Sequence, residues 1–261
     1  MKHTLRITVL LVLLFLIAHF LGLIILNEYT TEQLPLGLEP PEIEETTSFI
    51  PVFVGIIIAT LFMLLIVKLR SMALWKFWFF ITVTLTLTIA FGAFIPGSIA
   101  LIVAMLFALF RVLKENKYLH NFSEMFIYGG LAAIFVPVFN LFSISALLIL
   151  ISVYDYISVF KTKHMVKLAK FQTEGKIFTG LFIPYKNKTA ILGGGDIGFT
   201  LLFSGVIMKD MGLIAAAIVS IVVAVSLFGL LYYGKKNKFY PAMPPLTVGC
   251  FVGLLIVKLL L

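Results

Sequence analysis

Apolar residues fill most of this chain in long blocks, and short polar stretches separate the blocks. A block of about 17–23 residues is long enough for an α-helix to cross the hydrocarbon core of a bilayer. Backbone polar groups in lipid must bond internally, and blocks of this length exclude barrel strands, so the pattern predicts an all-α polytopic membrane protein with nine transmembrane helices. The nine blocks are residues 5–26, 49–69, 74–94, 97–113, 123–140, 141–160, 190–208, 211–233 and 239–261.

The predicted helices form one transmembrane domain over residues 1–261. Helices 1–6 occupy residues 1–160, a cytoplasmic loop occupies 161–189, and helices 7–9 occupy 190–261. Within the loop, Lys176–Pro184 mixes β-forming residues with a glycine and a proline, which is typical of a short edge strand. A surface loop in contact with anionic lipids is the alternative for this segment.

Composition and charge agree with a membrane protein. The chain is 61% hydrophobic and 12% charged, with a mean hydropathy of +1.13, whereas a soluble domain carries roughly twice that charged fraction. The net charge of +8 would suit a nucleic-acid partner in a soluble protein, but here the basic residues flank apolar blocks. We therefore expect a lipid bilayer around the chain and no nucleic-acid partner.

The distribution of basic residues predicts the orientation of the chain in the membrane. When the amino terminus is placed in the cytoplasm and nine spans alternate, Lys209 and Lys258 are the only basic residues that fall outside. The acidic stretch 28–45 also falls outside. By the positive-inside rule we expect a multi-pass protein of the cell membrane, with the amino terminus in the cytoplasm and the carboxy terminus outside.

Two carboxyl groups lie inside predicted spans, Asp155 in helix 6 and Asp196 in helix 7. An ionisable group in hydrocarbon costs roughly 2.5 kcal/mol or more, and it is by default a functional-site hypothesis. Counted from Lys161 and Lys188, both carboxyls lie about 9–12 Å from the cytoplasmic charges. Two neighbouring carboxyls that share one proton can activate water and polarise a carbonyl, as in aspartic proteases. The sequence therefore predicts a catalytic pair.

Two further segments accompany the predicted pair. Three glycines, Gly193–Gly195, stand directly before Asp196, and small residues let helices approach closely in a membrane. The segment Pro241–Pro245 opens helix 9 on the same cytoplasmic face, and its three prolines remove amide donors. Irregular backbone at membrane depth persists where it lines a cavity or packs against protein. We expect this segment beside the aspartates, with a plain junction between loop and helix as the alternative.

Three short motifs, taken in order, resemble those of a known family, the presenilin/signal peptide peptidase family of intramembrane aspartyl proteases. They are Tyr154-Asp155 in helix 6, Gly193-x-Gly195-Asp196 in helix 7 and Pro241-Ala242-Met243 in helix 9. The run that begins at the first motif is also similar to archaeal presenilin homologues. The resemblance implies that the two aspartates are catalytic and that the other motif residues shape the site or contact the substrate. One departure is a methionine in the third motif where the family has leucine, a substitution that conserves volume.

The same resemblance carries expectations about substrates and partners. The family's substrates are single-span transmembrane proteins, and a basic loop between helices 6 and 7 places the chain on the presenilin side of the family. Because cleavage needs an extended backbone, we hypothesise that the predicted strand in 176–184 pairs with the substrate. The chain carries no large extracytoplasmic domain for substrate selection, so we expect no requirement for accessory subunits.

The sequence leaves other functions open. A proton- or cation-coupled transporter or channel is the main alternative, in which the same aspartates titrate, although no inverted repeat is visible between the two halves. A non-catalytic scaffold would leave the carboxyl pair unexplained. The histidines, His3, His19, His120 and His164, have no ligand spacing, so we expect neither a metal nor another cofactor.

Overall fold

The structure, a computed structural model, describes residues 4–114, 116–162, 164, 168, 171–172, 178–185, 188–234 and 240–260. These residues form nine long helices and one two-stranded sheet. The helices are α1 (Leu5–Glu28), α2 (Phe49–Leu69), α3 (Met72–Gly92), α4 (Gly97–Leu113), α5 (Lys117–Phe135), α6 (Leu141–Phe160), α7 (Gly194–Met211), α8 (Leu213–Tyr233) and α9 (Met243–Leu260). The strands are β1 (Gly180–Tyr185) and β2 (Lys188–Gly193).

Within the described residues, seven helices are long and apolar enough to cross a membrane, which makes the chain a multi-pass membrane protein. They are α1, α2, α3, α5, α6, α8 and α9. Helix α4 is apolar but only 17 residues long. Helix α7 has 18 residues and carries Asp196, Lys209 and Asp210. Helical architecture is therefore confirmed, whereas the count of nine spans stays a prediction.

The start of helix 7 was predicted wrongly. We expected the helix from residue 190, but residues 188–193 form strand β2 and α7 begins at Gly194. The run Thr189–Leu192 is only four residues long and carries a β-branched residue at each alternate position, so it suits a strand. The glycines that follow mark the change from strand to helix. Helix α9 likewise begins four residues later than predicted, at Met243, after Pro241.

The predicted break between helices 5 and 6 is confirmed. Helix α5 passes into a 3-10 turn at Val136–Val138, which contains the proline of this region. Asn140 then caps α6, because its side chain accepts a hydrogen bond from the backbone N–H of Ser143 at 2.9 Å. An asparagine cap satisfies one of the backbone donors that a helix start leaves unpaired.

Strands β1 and β2 form an antiparallel hairpin directly before α7. Gly180 pairs with Gly193 at the helix end of the hairpin, and Tyr185 pairs with Lys188 at its tip. The predicted strand in 176–184 is thus present over Gly180–Tyr185, while residues 176 and 177 lie outside the described residues.

Helix α7 lies at the centre of the bundle. It packs against α1, α5, α6, α8 and α9, and every residue from Thr200 to Met208 is buried. A second apolar cluster joins α3 and α4, where Ala100, Ala104 and Ala108 form a fully buried stripe that lets the two helices approach closely. Helix α2 lies at the periphery against α6 and α3, and Ile66 is its one buried residue.

Candidate active site

Asp155 stands half-buried on the face of α6 that packs against α9. Its neighbours one turn away on that face, Ile151 and Ser158, are buried. Ser152, also on the α9 side, forms a 2.7 Å hydrogen bond with Thr247 of α9. The carboxylate oxygen Oδ2 of Asp155 accepts a hydrogen bond from the backbone N–H of Met243 at 3.0 Å. Helix 6 and the start of helix 9 therefore meet at this carboxyl, as the sequence predicted.

The geometry at Met243 follows from the prolines around it. The first N–H groups of a helix have no partner within the helix, and Pro244 and Pro245 have no N–H at all. Met243 is the first residue of α9, so its N–H is the donor that remains to point at Asp155. A backbone hydrogen bond from Ala242 reaches the same carboxyl. The positive end of the α9 dipole adds to this attraction for a carboxylate.

The other two members of this segment support the turn. Pro241 and Met243 are buried, and Ala242 is half-buried. The carbonyl of Ala242 accepts the first helical hydrogen bond, from Leu246 at 3.2 Å. The irregular segment thus lies beside Asp155 and is more than a plain junction between loop and helix.

Asp196 is the third residue of α7 and is also half-buried. The dipole at the start of a helix favours a carboxylate in the first turn. The side chain of Thr200 donates to the carbonyl of Asp196 at 2.7 Å and contacts the buried ring of His19 at 3.0 Å. His19 in turn contacts Ser220 of α8 at 3.0 Å. Polar contacts to α1 and α8 therefore hold the first turn of α7 in place.

Other atoms lie close to the glycines before Asp196, so there is little room for a side chain there. A side-chain carbon added at Gly193 would lie 3.2 Å from Oδ2 of Asp196. One added at Gly194 would lie 3.0 Å from the hydroxyl of Tyr128 on α5. At Gly195 the nearest atom would be in the Phe199 ring, at 3.5 Å, which is an ordinary contact. The close approach allowed by the glycines is thus to Asp196 itself and to α5.

Tyr154 directly precedes the first aspartate, and its hydroxyl contacts the segment that follows α6. It forms a 2.9 Å hydrogen bond with Nε2 of His164, in the segment that follows α6. Its ring packs edge-on against Phe53 of α2, with 6.3 Å between the ring centroids. Partial burial lowers the pKa of His164 below its usual value. Tyr154 thus joins α2, α6 and the start of the loop.

A buried ion pair near the second aspartate escaped the sequence analysis. Arg111 and Glu124 meet at 2.7 Å, and their side chains are 3% and 2% exposed. The positive-inside rule places Arg111 among the basic residues of the cytoplasmic side, and the structure shows in addition that its side chain is buried and paired. Glu124 lies inside a predicted span, so the rule that singled out the aspartates applies to it equally.

The outer edge of β1 is closed by side chains of α5. The backbone N–H and C=O of Phe182 both pair with the side-chain amide of Asn121, at 3.1 and 2.8 Å. The N–H of Gly180 donates to Glu124 at 3.0 Å, and its carbonyl contacts Nε2 of His120 at 2.7 Å. Because the other edge of β1 pairs with β2, β1 has no edge left for a substrate strand.

Comparison with known proteins decides the family. The sequence matches the family model described as signal-peptide peptidase, presenilin aspartyl protease, over residues 12–260. The chain belongs to this family. A comparison with curated proteins gives no match.

Solved structures of the presenilin family share the fold. A presenilin family intramembrane aspartate protease crystallised in space group C222 superimposes with a TM-score of 0.70 and 22% sequence identity, over 97% of this chain and 99% of that chain. A structure described in the same words, in space group P2, gives a TM-score of 0.68 and 22% identity, over 96% of this chain and 97% of that chain. At this identity the likeness concerns the fold.

As a member of the presenilin and signal-peptide-peptidase family, the chain is an intramembrane aspartyl protease and hence a peptide hydrolase. Members of the family act on transmembrane substrates within the bilayer. The transporter or channel alternative is not favoured by these findings.

Proposed function

We propose that Asp155 and Asp196 are the catalytic pair of this protease. The observation that carries the proposal is the hydrogen bond from the backbone of Met243 to Asp155. It ties the first carboxyl to α9, and α9 packs against both α6 and α7, the helix that carries the second carboxyl in its first turn. The contacts among these three helices support a position for both half-buried carboxyls at one end of the bundle.

The chemistry follows from two carboxyls that hold one proton between them. The ionised member takes a proton from a water molecule, whose oxygen attacks the scissile carbonyl carbon. The protonated member donates to the carbonyl oxygen, which gives a tetrahedral diol. The C–N bond then breaks as the nitrogen receives a proton from one carboxyl while the other takes the proton of one diol hydroxyl, which restores the single shared proton. We assign base and acid to the pair rather than to either residue.

We further propose that the substrate pairs with β2, which revises the expectation for segment 176–184. Along β1, residues that hydrogen-bond to β2 alternate with residues that hydrogen-bond to α5. The β2 residues opposite the second group are Thr189, Ile191 and Gly193, so their backbone N–H and C=O groups point away from β1. This edge ends at Gly193, directly before the helix turn that carries Asp196. An extended substrate strand added here would deliver its backbone to the pair.

Helix α2 is the proposed side of substrate entry. It lies at the periphery with Ile66 as its one buried residue, and its Phe53 touches Tyr154, the neighbour of Asp155. Elements with few buried contacts are those that move at low cost. A single-span helix can therefore reach the pair by displacing α2 from α6.

The proposed topology retains all nine spans in one transmembrane domain, with the residues between α6 and α7 in the cytoplasm. The distribution of basic residues supports an amino terminus in the cytoplasm and a carboxy terminus outside. The same asymmetry supports the cell membrane as the location. We propose that the chain cleaves single-span substrates without accessory subunits.

A cleavage assay tests the catalytic pair. The purified protein is incubated in lipid with a single-span substrate, and Asp155→Asn and Asp196→Asn are compared with Asp210→Asn, an exposed aspartate at the far end of α7. We expect each of the first two changes alone to lower kcat by at least about 1,000-fold, because the carboxyls act as a unit. Ion flux without cleavage, or cleavage that survives in either variant, would refute the pairing.

A proline substitution tests the proposed substrate edge. Ile191→Pro removes an N–H that points away from β1 and leaves the β1–β2 bonds in place. We expect KM to rise by about 10-fold, the loss of one backbone hydrogen bond to the substrate. Ala190→Pro is the matched comparison, because it removes an N–H that faces β1. An unchanged KM in Ile191→Pro would reject this edge.

A further inference from the structure

We propose that a buried polar cluster on α4 and α5 is a positioning device for Asp196. This inference rests on the proposed catalytic role of that residue. We call the cluster the hairpin clamp, and its members are Arg111, His120, Asn121, Glu124 and Tyr128. None of these residues belongs to the motifs that identify the family.

Glu124 is the centre of the clamp. One carboxylate oxygen accepts from Arg111 at 2.7 Å, and the other accepts from the backbone N–H of Gly180 at 3.0 Å and from the hydroxyl of Tyr128. The ring of Phe79 lies against the guanidinium of Arg111, 4.8 Å from its centroid. Because every one of these groups is withdrawn from water, the pair is stable only while its partners stay in place.

The clamp is shaped to hold a strand edge. His120, Glu124 and Tyr128 are spaced four residues apart, so they share one face of α5. Asn121 lies beside them, and its amide both donates to and accepts from Phe182, as a neighbouring strand would. Apolar side chains at these positions would leave four backbone groups of β1 without partners.

The hairpin transmits this anchorage to the second aspartate. The clamped residue Gly180 pairs with Gly193, and the N–H of Gly194 donates to the carbonyl of Thr179 at 3.2 Å. Tyr128 approaches Gly194 directly and is close enough to Asp196 for an electrostatic interaction. The clamp therefore determines where the first turn of α7 begins, and it acts through the backbone rather than on the substrate.

Three variants and one control test the clamp in full-length protein. Glu124→Gln keeps the shape of the side chain but leaves Arg111 as an unpaired buried charge. Asn121→Ala removes two bonds to β1 and leaves no charge behind. The double variant Arg111→Gln/Glu124→Gln removes the whole ion pair. Glu45→Gln, the control, breaks the exposed pair with Lys209.

The kinetic signature separates positioning from substrate binding. We expect Glu124→Gln to lower kcat by about 10- to 100-fold with KM within about twofold, because a misplaced catalytic group costs rate rather than affinity. Asn121→Ala should lower kcat by about 5- to 10-fold. The double variant should recover at least about 3-fold over Glu124→Gln, since no uncompensated charge remains. Glu45→Gln should match wild type.

A second readout does not depend on catalysis. Spin labels at Tyr118→Cys and Thr189→Cys bracket a pocket of about 490 Å³ between α5 and the hairpin, and the native Cys250 is buried. In the doubly labelled protein with Asn121 intact, we expect dipolar broadening that corresponds to one defined distance. In the doubly labelled protein with Asn121→Ala, we expect a weaker signal with a broader range of distances. If Asp196→Asn retained cleavage while this change persisted, the catalytic proposal would fail and the anchorage would stand.

Three results would overturn the clamp. The first is a dipolar signal that is identical in wild type and Asn121→Ala. The second is a rise in KM at constant kcat, which would make the cluster a substrate contact. The third is a loss of activity that matches the loss of folded protein measured by size exclusion. If Glu124→Gln does not fold, Asn121→Ala alone decides among these results.

Discussion

The two aspartates of this protease stand in contrasting surroundings. Asp196 lies in the first turn of the central helix α7, which packs against α1, α5 and α8, and the hairpin clamp holds the strands that precede it. Asp155 stands on a helix with one packed face, while Tyr156 and Phe160 beside it are exposed. Its hydrogen bonds come from the segment before and at the start of α9.

This contrast indicates a division of labour within the pair. A protease that cuts inside a membrane must admit a substrate helix and still hold its carboxyls in register. Regions with few buried contacts open at low free energy, and densely packed regions do not. We infer that the Asp196 side is the fixed reference and that the Asp155 side, with the peripheral α2, adjusts when the substrate enters.

The largest effect is expected from a substitution at Gly180, which disturbs the hairpin on the Asp196 side. This glycine has φ +136°, and an added side-chain carbon would overlap the carbonyl oxygen of Leu192 and lie 3.0 Å from the nitrogen of Gly194. We expect Gly180→Ala to lower kcat by at least about 100-fold, because the hairpin must shift. The cleavage assay measures this effect.

The control for Gly180→Ala is Gly37→Ala. Gly37 also has a positive φ, +68°, but has no atom within 4 Å of the added carbon. It should cost roughly 1–2 kcal/mol of stability and leave kcat unchanged. Equal losses of activity in the two variants would show that the strained backbone itself, rather than the hairpin, is responsible.

The second-largest effect is expected from a substitution at Met243, which acts on the Asp155 side. Met243→Pro removes the N–H that donates to Asp155, while proline is well tolerated at the first position of a helix. A hydrogen bond to a charged group contributes about 1.5–3 kcal/mol, so we expect kcat to fall by about 10- to 100-fold. Met243→Leu retains the N–H and the volume and should stay within about twofold of wild type. Equal rates for the two variants would argue against a role of this N–H.

The third effect moves Asp196 without disturbing the clamp. An added carbon at Gly193 would lie 3.2 Å from the carboxylate, so the carboxylate must shift by a few tenths of an ångström. We expect Gly193→Ala to lower kcat by about 5-fold with an unchanged melting temperature. Gly229→Ala, at a helical glycine with no described atom within 4 Å of the added carbon, is the control for the added methyl group. A fall in melting temperature that accounts for the lost rate would count against this account.

The helices and the two intramembrane aspartates could be predicted from the sequence, because a bilayer restricts both helix length and buried charge. Long apolar blocks predict helices, and the bounds of α2, α4 and α6 agree with the prediction to the residue. Carboxyls inside such blocks are costly, so Asp155 and Asp196 stood out. The prolines before α9 identified backbone that needs protein around it.

The clamp and the hairpin were harder to see for physical reasons. Arg111 and Glu124 lie 13 residues apart on different helices, and their pairing depends on tertiary packing that no local pattern records. Strand β2 is apolar like the helix that follows it, so hydropathy alone merges the two. Only its length and its β-branched residues distinguish it.

The smallest effect concerns Tyr154, at the junction of the adjustable side with the loop. Its hydroxyl contacts His164, and partial burial lowers the pKa of this histidine below its usual value of 6.5. A group with a depressed pKa in the folded state makes its full contribution above the unfolded pKa and loses it as the pH falls through the lower, folded pKa, where the imidazole becomes charged. We expect Tyr154→Phe to be about 2-fold slower than wild type near pH 8, and the difference to disappear as the pH falls below 6.5 and through the lowered pKa of His164. The ratio of the two rates is the quantity to measure, since the pH dependence of the catalytic pair cancels in it. As a control, the cleavage rate of His164→Gln is compared with that of the double variant Tyr154→Phe/His164→Gln. The ratio of these two rates should not change with pH. A wild-type advantage that grows towards acid would show that the charged form of His164 makes the contact.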